Sequence, residues 1–74
     1  MRAIKIPLTC RETRKRLGTR VAILTGGTVY EGRLASYTLD PETNGVWCIT
    51  LDTEMAYVAK DGAFFIQGAG WRGS

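Results

Sequence analysis

Residues 26–44 read GGTVYEGRLASYTLDPETN: a glycine turn, a long strand pattern and a polar loop in one run. The paired glycines Gly26 and Gly27 supply the positive φ that a tight hairpin turn needs. From Thr28 to Thr38, alternation puts Tyr30, Gly32, Leu34 and Ser36 inward and Glu31 and Arg33 outward. A glycine inside a strand weakens it unless the chain bends there or another backbone comes close. Gly32 therefore predicts a strand that curls over its own core. Asp40-Pro41 and Asn44-Gly45 are turn signals, so 39–45 is a loop.

Working outward, the segment before this run is also β-rich: residues 20–25, RVAILT, form the strand that the glycine turn reverses. Thr9 and Glu12 have capping-box spacing, with the Thr9 hydroxyl and the Glu12 carboxylate each taking the other's backbone N–H. A helix over 10–17 follows, Gly18 ends it, and Glu12 and Arg16 pair one turn apart. Its apolar stripe is thin, only Cys10, Thr13 and Leu17, so it must lie on something larger. Residues 1–8 are extended and close at Pro7. Downstream, 46–51 is a strand with Trp47, Ile49 and Leu51 on one face and Val46, Cys48 and Thr50 on the other. A turn at 52–54 leads to a strand over 55–60, and Asp61-Gly62 turns the chain into a last strand over 63–67. The tail 68–74 is glycine-rich and loose unless Trp71 docks. The fold expected is mostly β: a short N-terminal helix, then a strongly bent five-stranded antiparallel sheet forming a small barrel.

Phe64, Phe65 and Ile66 make the last strand apolar on both faces, and one small core cannot hold both phenylalanines. Either the helix and tail cover one face or a neighbouring subunit does. Size argues similarly, because 74 residues make a single domain that buries roughly 60% of its extended surface. Small chains add a staple. Cys10 and Cys48 lie far apart in no motif, and with no histidine a usual zinc set cannot be built. A homo-oligomer remains by elimination. Strand pairing between subunits would also cover exposed sheet edges. The first residues lack the apolar core of a secretory signal, and no run is long and apolar enough for a membrane span, so a cytoplasmic protein is expected.

Charge is uneven. Residues 1–20 carry seven basic residues and one acidic, a net +6; residues 21–74 carry three basic and six acidic, a net −3, giving the chain's +3. Arg11, Arg14, Lys15 and Arg16 form a basic face that suits a polyanion. The competing reading is a solvated helix face whose charges pair with Glu31, Asp52 or Glu54. Catalysis lacks its usual parts: there is no histidine, no G-x-S-x-G and no phosphate-cradling loop. Cys48 reads as packing, without a histidine to serve as its base, and so does Cys10. No enzyme activity, cofactor, metal or small-molecule substrate is expected.

The order of these elements resembles the Sm-like (LSm) family, small bent five-stranded barrels with an N-terminal helix that assemble into RNA-binding rings. Leu17-Gly18 with Val21-Ala22-Ile23-Leu24 looks like the helix end and first strand. Gly26-Gly27, Tyr30, Gly32, Leu34 and Tyr37 look like the first Sm motif, and Asp40 and Asn44 have the D-x-x-x-N spacing of the loop after it. Residues 55–60 followed by Asp61-Gly62 are similar to the second motif, with Lys60 near Gly62 as its basic residue. An alternative register puts Ile66-Gln67-Gly68 there, with Gln67 replacing the basic residue. The short 52–54 turn is closer to the compact bacterial RNA-chaperone branch. The resemblance covers roughly residues 9–67. Two departures stand out: Thr38 and Leu39 lengthen the loop by two residues, and Glu42 stands where the family often has an aromatic or histidine.

The resemblance implies a homo-oligomeric ring binding single-stranded RNA at its pore through the 39–45 loop and the 60–62 turn. Asn44 would read a base edge, Asp40 would orient its amide, Lys60 would meet phosphate, Gly62 would shape the turn and Tyr37 would stack on a base. The plainer readings are that Asp40 and Asn44 only cap a turn and that Tyr37 belongs to the core. The alternative function is an oligomeric protein-interaction adaptor of the same fold that has lost the RNA site, favoured by Glu42 and the acidic body. A DNA-binding small barrel is a third.

Overall fold

The computed structural model describes residues 4–67. The chain runs β1 (Ile4–Pro7), α1 (Cys10–Lys15), β2 (Arg20–Thr25), β3 (Thr28–Leu39), β4 (Val46–Leu51), β5 (Met55–Tyr57) and β6 (Ala63–Gln67). The strands form one antiparallel sheet in the order β1-β6-β2-β3-β4-β5. The fold is mostly β with little helix, as expected. Five expectations change: there are six strands rather than five, the ladder does not close into a barrel, the helix ends at Lys15 rather than at residue 17, the second expected strand runs on through Leu39 so that the loop begins at Asp40, and the fourth expected strand stops at Tyr57 rather than at residue 60. The expected loose tail, with Trp71, lies outside the described residues.

The sixth strand is the N-terminal segment, which pairs Ile6 with Phe65 and Pro7 with Phe64. β6 is thereby an inner strand, with β1 paired along one edge and β2 along the other. Leu8 N–H donates to the Ala63 carbonyl at 2.9 Å, so alternation turns the backbone groups of Lys5 and Pro7 away from β6. Proline has no N–H to lose there, and lysine with proline on an outer strand discourages unwanted pairing.

Gly26 and Gly27 have φ of 60° and 78°, and Thr25 pairs with Thr28 across the predicted hairpin turn. Gly32 shows why β3 curls. A Cβ there would sit 2.7 Å from Asp52 Oδ1, 2.8 Å from Thr53 Oγ1 and 3.2 Å from Leu51 Cβ. The 52–54 turn crosses this spot, held as Asp52 Oδ1 accepts the Arg33 N–H at 2.8 Å and the Thr53 hydroxyl donates to the Glu31 carbonyl at 2.9 Å. Two bulges then reset the faces. Ala35 is the extra residue between the Leu34–Leu51 and Ser36–Thr50 pairs, and Trp47 is the extra residue between Thr38–Cys48 and Leu39–Val46. Ser36, expected inward, therefore faces solvent, while Tyr37 turns inward opposite the fully buried Ile49. Trp47, expected beside Ile49 and Leu51, faces out and is 45% exposed.

The core is Ile23, Leu34, Val46, Ile49, Leu51 and Phe65, with Ile6, Leu8, Val21, Tyr30, Tyr37 and Val58 packed against it. The helix covers one side through Cys10 and the fully buried Thr13. Leu17, expected in its stripe, is exposed, because the helix ends at Lys15 with Arg16 as its cap, which leaves Leu17 beyond the last turn. The far edge of the sheet bends back toward β2 without a ladder. The Thr25 hydroxyl donates to the Tyr57 carbonyl at 3.0 Å and accepts the Ala59 N–H at 2.8 Å. This is why β5 ends early: past Val58 the chain leaves β4 for β2. Thr25→Val orphans both groups and is expected to lower stability by about 2 kcal/mol. Thr25→Ser keeps the hydroxyl and is expected to lose about 1 kcal/mol, roughly one buried carbon. Chemical denaturation of the two variants checks this contrast.

Candidate nucleic-acid interface

The register puts the two segments in question at the same end of the sheet. β4 begins where the 40–45 loop ends, and its first residues lie beside the end of β5, with Cys48 opposite Tyr57 and the Val58 N–H donating to the Trp47 carbonyl at 3.0 Å. The 58–62 segment therefore leaves the sheet next to the point where the loop enters it. Gly62 has φ 106° and its N–H closes a turn on the Ala59 carbonyl at 2.9 Å. That puts the turn at 61–62 and leaves Gln67 in the last strand, so Lys60 is the basic residue of this turn. Lys60 is exposed. Gly62 also borders a shallow cleft of about 130 Å³ against Gly26, Gly27 and Phe64. That is well below the roughly 300–1,000 Å³ of a small-molecule site.

The loop is internally satisfied. Asp40 Oδ1 accepts the Glu42 N–H at 2.8 Å, the Asn44 N–H donates to the Asp40 carbonyl at 2.7 Å, and the Asp40 N–H donates to the Gly45 carbonyl at 2.8 Å. Asp40 thus holds Glu42 and not the Asn44 amide, because a short acidic side chain reaches a backbone N–H two residues on more readily. Asn44 sits at φ 61°, a left-handed position asparagine tolerates, and its exposed amide makes no hydrogen bond among the described residues. Glu42 is exposed beside it. Tyr37 is half-buried against the core with its hydroxyl toward Arg14.

The basic helix is sorted by contact. The Arg16 guanidinium meets the Glu12 carboxylate at 2.7 Å, donates to Gln67 Oε1 at 3.1 Å and lies 4.7 Å from the centre of the Phe65 ring. It has turned inward and leaves the basic face to Arg11, Arg14 and Lys15. Arg14 is held in its charged form by the Tyr37 hydroxyl and then by the Cys10 thiol. Lys15 reaches Glu12 at 3.7 Å. Glu12 thus pairs within the helix with Lys15 and Arg16, while Glu31 meets Arg20 at 3.8 Å and Asp52 accepts the Arg33 backbone N–H. Half of the expected capping box forms: the Glu12 N–H donates to Thr9 Oγ1 at 3.1 Å, and the Glu12 carboxylate turns to Arg16 instead. Burial pushes the Cys48 thiol up, in keeping with a packing role.

The hydrogen bond from Arg16, helped by the charge of Lys15, holds Glu12 below its ordinary value of 4.5. A depressed folded pKa gives stability that is complete above the unfolded value and is lost as pH falls through the folded one. Melting temperature is therefore expected to fall in acid below about pH 4.5, and Glu12→Gln is expected to flatten part of that fall. An equally steep fall in the variant would locate the acid sensitivity elsewhere.

Trp47 and Tyr57 were not singled out by the sequence. Their rings stack at 5.7 Å between centroids and 30° between planes, and they are 45% and 57% exposed. The one signal available was the extra residue a bulge would need, and alternation alone does not reveal it. Among the described residues, no helix is long and apolar enough to cross a membrane. In comparison with known proteins, the chain matches no family model, and no curated protein and no solved structure matches it significantly.

Proposed function

We propose that this chain is an Sm-like, cytoplasmic binding domain that holds single-stranded RNA at the 39–45 loop and the 60–62 turn and works as a homo-oligomeric ring. The observation that carries the reading is that the two segments leave neighbouring strands of a bent antiparallel sheet side by side, with the exposed Asn44 amide, unpartnered among the described residues, on one and the exposed Lys60 on the other. In this reading Asn44 reads a base edge, Lys60 contacts phosphate and Gly62 lets the strand approach closely. Arg11, Arg14 and Lys15 add salt-dependent attraction without sequence preference. The bridge through Thr25 draws the far edge of the bent sheet back toward β2, which supports a barrel-like reading. Copies would join through the outer edges of β5 and β1. By alternation Met55 and Lys5 still offer backbone groups there, while the Tyr57 carbonyl is already held by Thr25.

Asn44→Ala combined with Lys60→Ala is expected to weaken binding of short U-rich or A-rich RNA at least about tenfold, the loss of one or two contacts of about 1–2 kcal/mol. Anisotropy of labelled RNA measures this, and unchanged affinity would remove the loop and turn from the site. Native mass spectrometry with and without RNA tests the ring, and a monomer under both conditions overturns it. The adaptor reading draws on a separate observation. Asp40 is committed to its own loop and Glu42 is the exposed charge beside Asn44, which suits a basic protein surface better than phosphate. Partners retained after nuclease treatment, together with no RNA binding at low salt, would favour it.

A further inference from the structure

The stacked pair of Trp47 and Tyr57 has a surface around it that narrows its use. Register sets Ser36, Thr50 and Met55 in one row of the outer sheet face and Thr38, Cys48 and Tyr57 in the next. None of these residues is charged. Ser36 and Thr38 are exposed, and Met55 is 50% exposed. Trp47 joins this face only because it is the extra residue of the β4 bulge, and bulges commonly re-aim a side chain next to a functional site. Its carbonyl accepts the Val58 N–H, so the pair sits where β4 follows the 40–45 loop and β5 leads on to the 60–62 turn.

We propose that Trp47 and Tyr57 are a stacking platform for the bases of single-stranded RNA, an extension of the loop-and-turn site. The inference rests on the RNA-binding reading above. The two rings stack on each other, so bases reach only the ring faces turned away from the pair, and such a face accepts any base. The hydroxyls of Ser36 and Thr38 donate or accept as required, so they serve base edges without choosing among them. Lys60, three residues beyond Tyr57, supplies the cation for the backbone. The platform also supplies what the loop lacks, because Glu42 cannot stack and Tyr37 is turned into the core. Pairing of copies along strand edges runs in the plane of the sheet and leaves this face open.

The chain has two tryptophans, so Trp71→Phe leaves Trp47 as the only one and its fluorescence reports on the platform. Titration with a short oligouridine and a short oligoadenosine at low salt is expected to quench Trp47 emission. Tyr57→Ser is expected to weaken binding by about 5- to 150-fold, and Trp47→Phe, which keeps a ring, to lose far less. Binding seen by anisotropy of labelled RNA without any Trp47 quenching overturns the platform. So does quenching that grows with protein concentration in the absence of RNA, because a second copy then covers the rings. The platform and the loop separate cleanly. Loss of binding in Asn44→Ala with Lys60→Ala but not in Tyr57→Ser leaves the loop reading and removes the platform. The opposite pattern keeps the platform and removes the loop. Absence of any RNA binding at low salt overturns both.

Discussion

Phe65→Ala is expected to cost about 3–5 kcal/mol of folding stability, whereas Phe64→Ala, one residue away, costs about 1 kcal/mol. The difference is one of facing. Phe65 is 1% exposed, packs with Ile23, Leu34 and Leu51, and is capped by the Arg16 guanidinium. Phe64 points to the opposite face, half-buried, with Lys5 Nζ 5.8 Å from its ring centre. Removing Phe65 opens a cavity at the junction of sheet and helix and leaves Arg16 without its ring. A domain of 74 residues has about 4–11 kcal/mol in total, so the loss takes it to the edge of unfolding. Urea denaturation of the two alanine variants measures the gap. Equal losses would mean that β6 presents its two rings differently from the structure.

Gly32→Val comes next, with an expected loss of about 3 kcal/mol or more. The penalty is steric and not conformational, because Gly32 is not among the glycines at positive φ. A Cβ would meet Asp52 Oδ1 and Thr53 Oγ1 below 3.0 Å, and both atoms are fixed by hydrogen bonds to the backbone of β3. Relieving the clash therefore breaks the contacts that hold the 52–54 turn over the strand. The background Asp52→Ala with Thr53→Ala removes two of the three close atoms. In that background Gly32→Ala is expected to cost clearly less than in the parent chain, a coupling that a double-mutant cycle reads directly. Additive losses would show that Gly32 is required for a reason other than this crossing.

These two positions differ in how far the sequence revealed them. Gly32 was legible as a bend or a close approach, because a strand glycine needs one of those reasons. Which one held, and against which segment, depended on residues 51–53 folding back across it. The two-sided apolar run at 64–66 predicted cover on both faces, and the cover is α1 with Arg16 on one side and Lys5 of β1 on the other. At the candidate site the spacing of Asp40 and Asn44 predicted a loop, and the loop is there. In the structure the Asp40 carboxylate accepts the Glu42 N–H, a partner two residues away that the family spacing does not suggest. The sequence places Arg16 on the basic face, whereas its neighbours across the fold, Gln67 and Phe65, draw it inward.

The sequence by itself determined the local elements: the Gly26-Gly27 turn, the Thr9 cap, the left-handed Gly18, the Asp61-Gly62 reversal and the β-rich runs between them. Each depends on φ preferences or hydrogen bonds within about four residues, which any reading of neighbours captures. The tertiary structure alone decided which way the side chains after Ala35 and Trp47 face, since one extra residue inverts alternation and only the partner strand shows where it sits. It also decided that the N-terminal segment becomes a strand, that Thr25 ties the far edge back, and that Trp47 meets Tyr57 on an open face. Those outcomes depend on residues from ten to more than sixty positions apart, and no local preference specifies them.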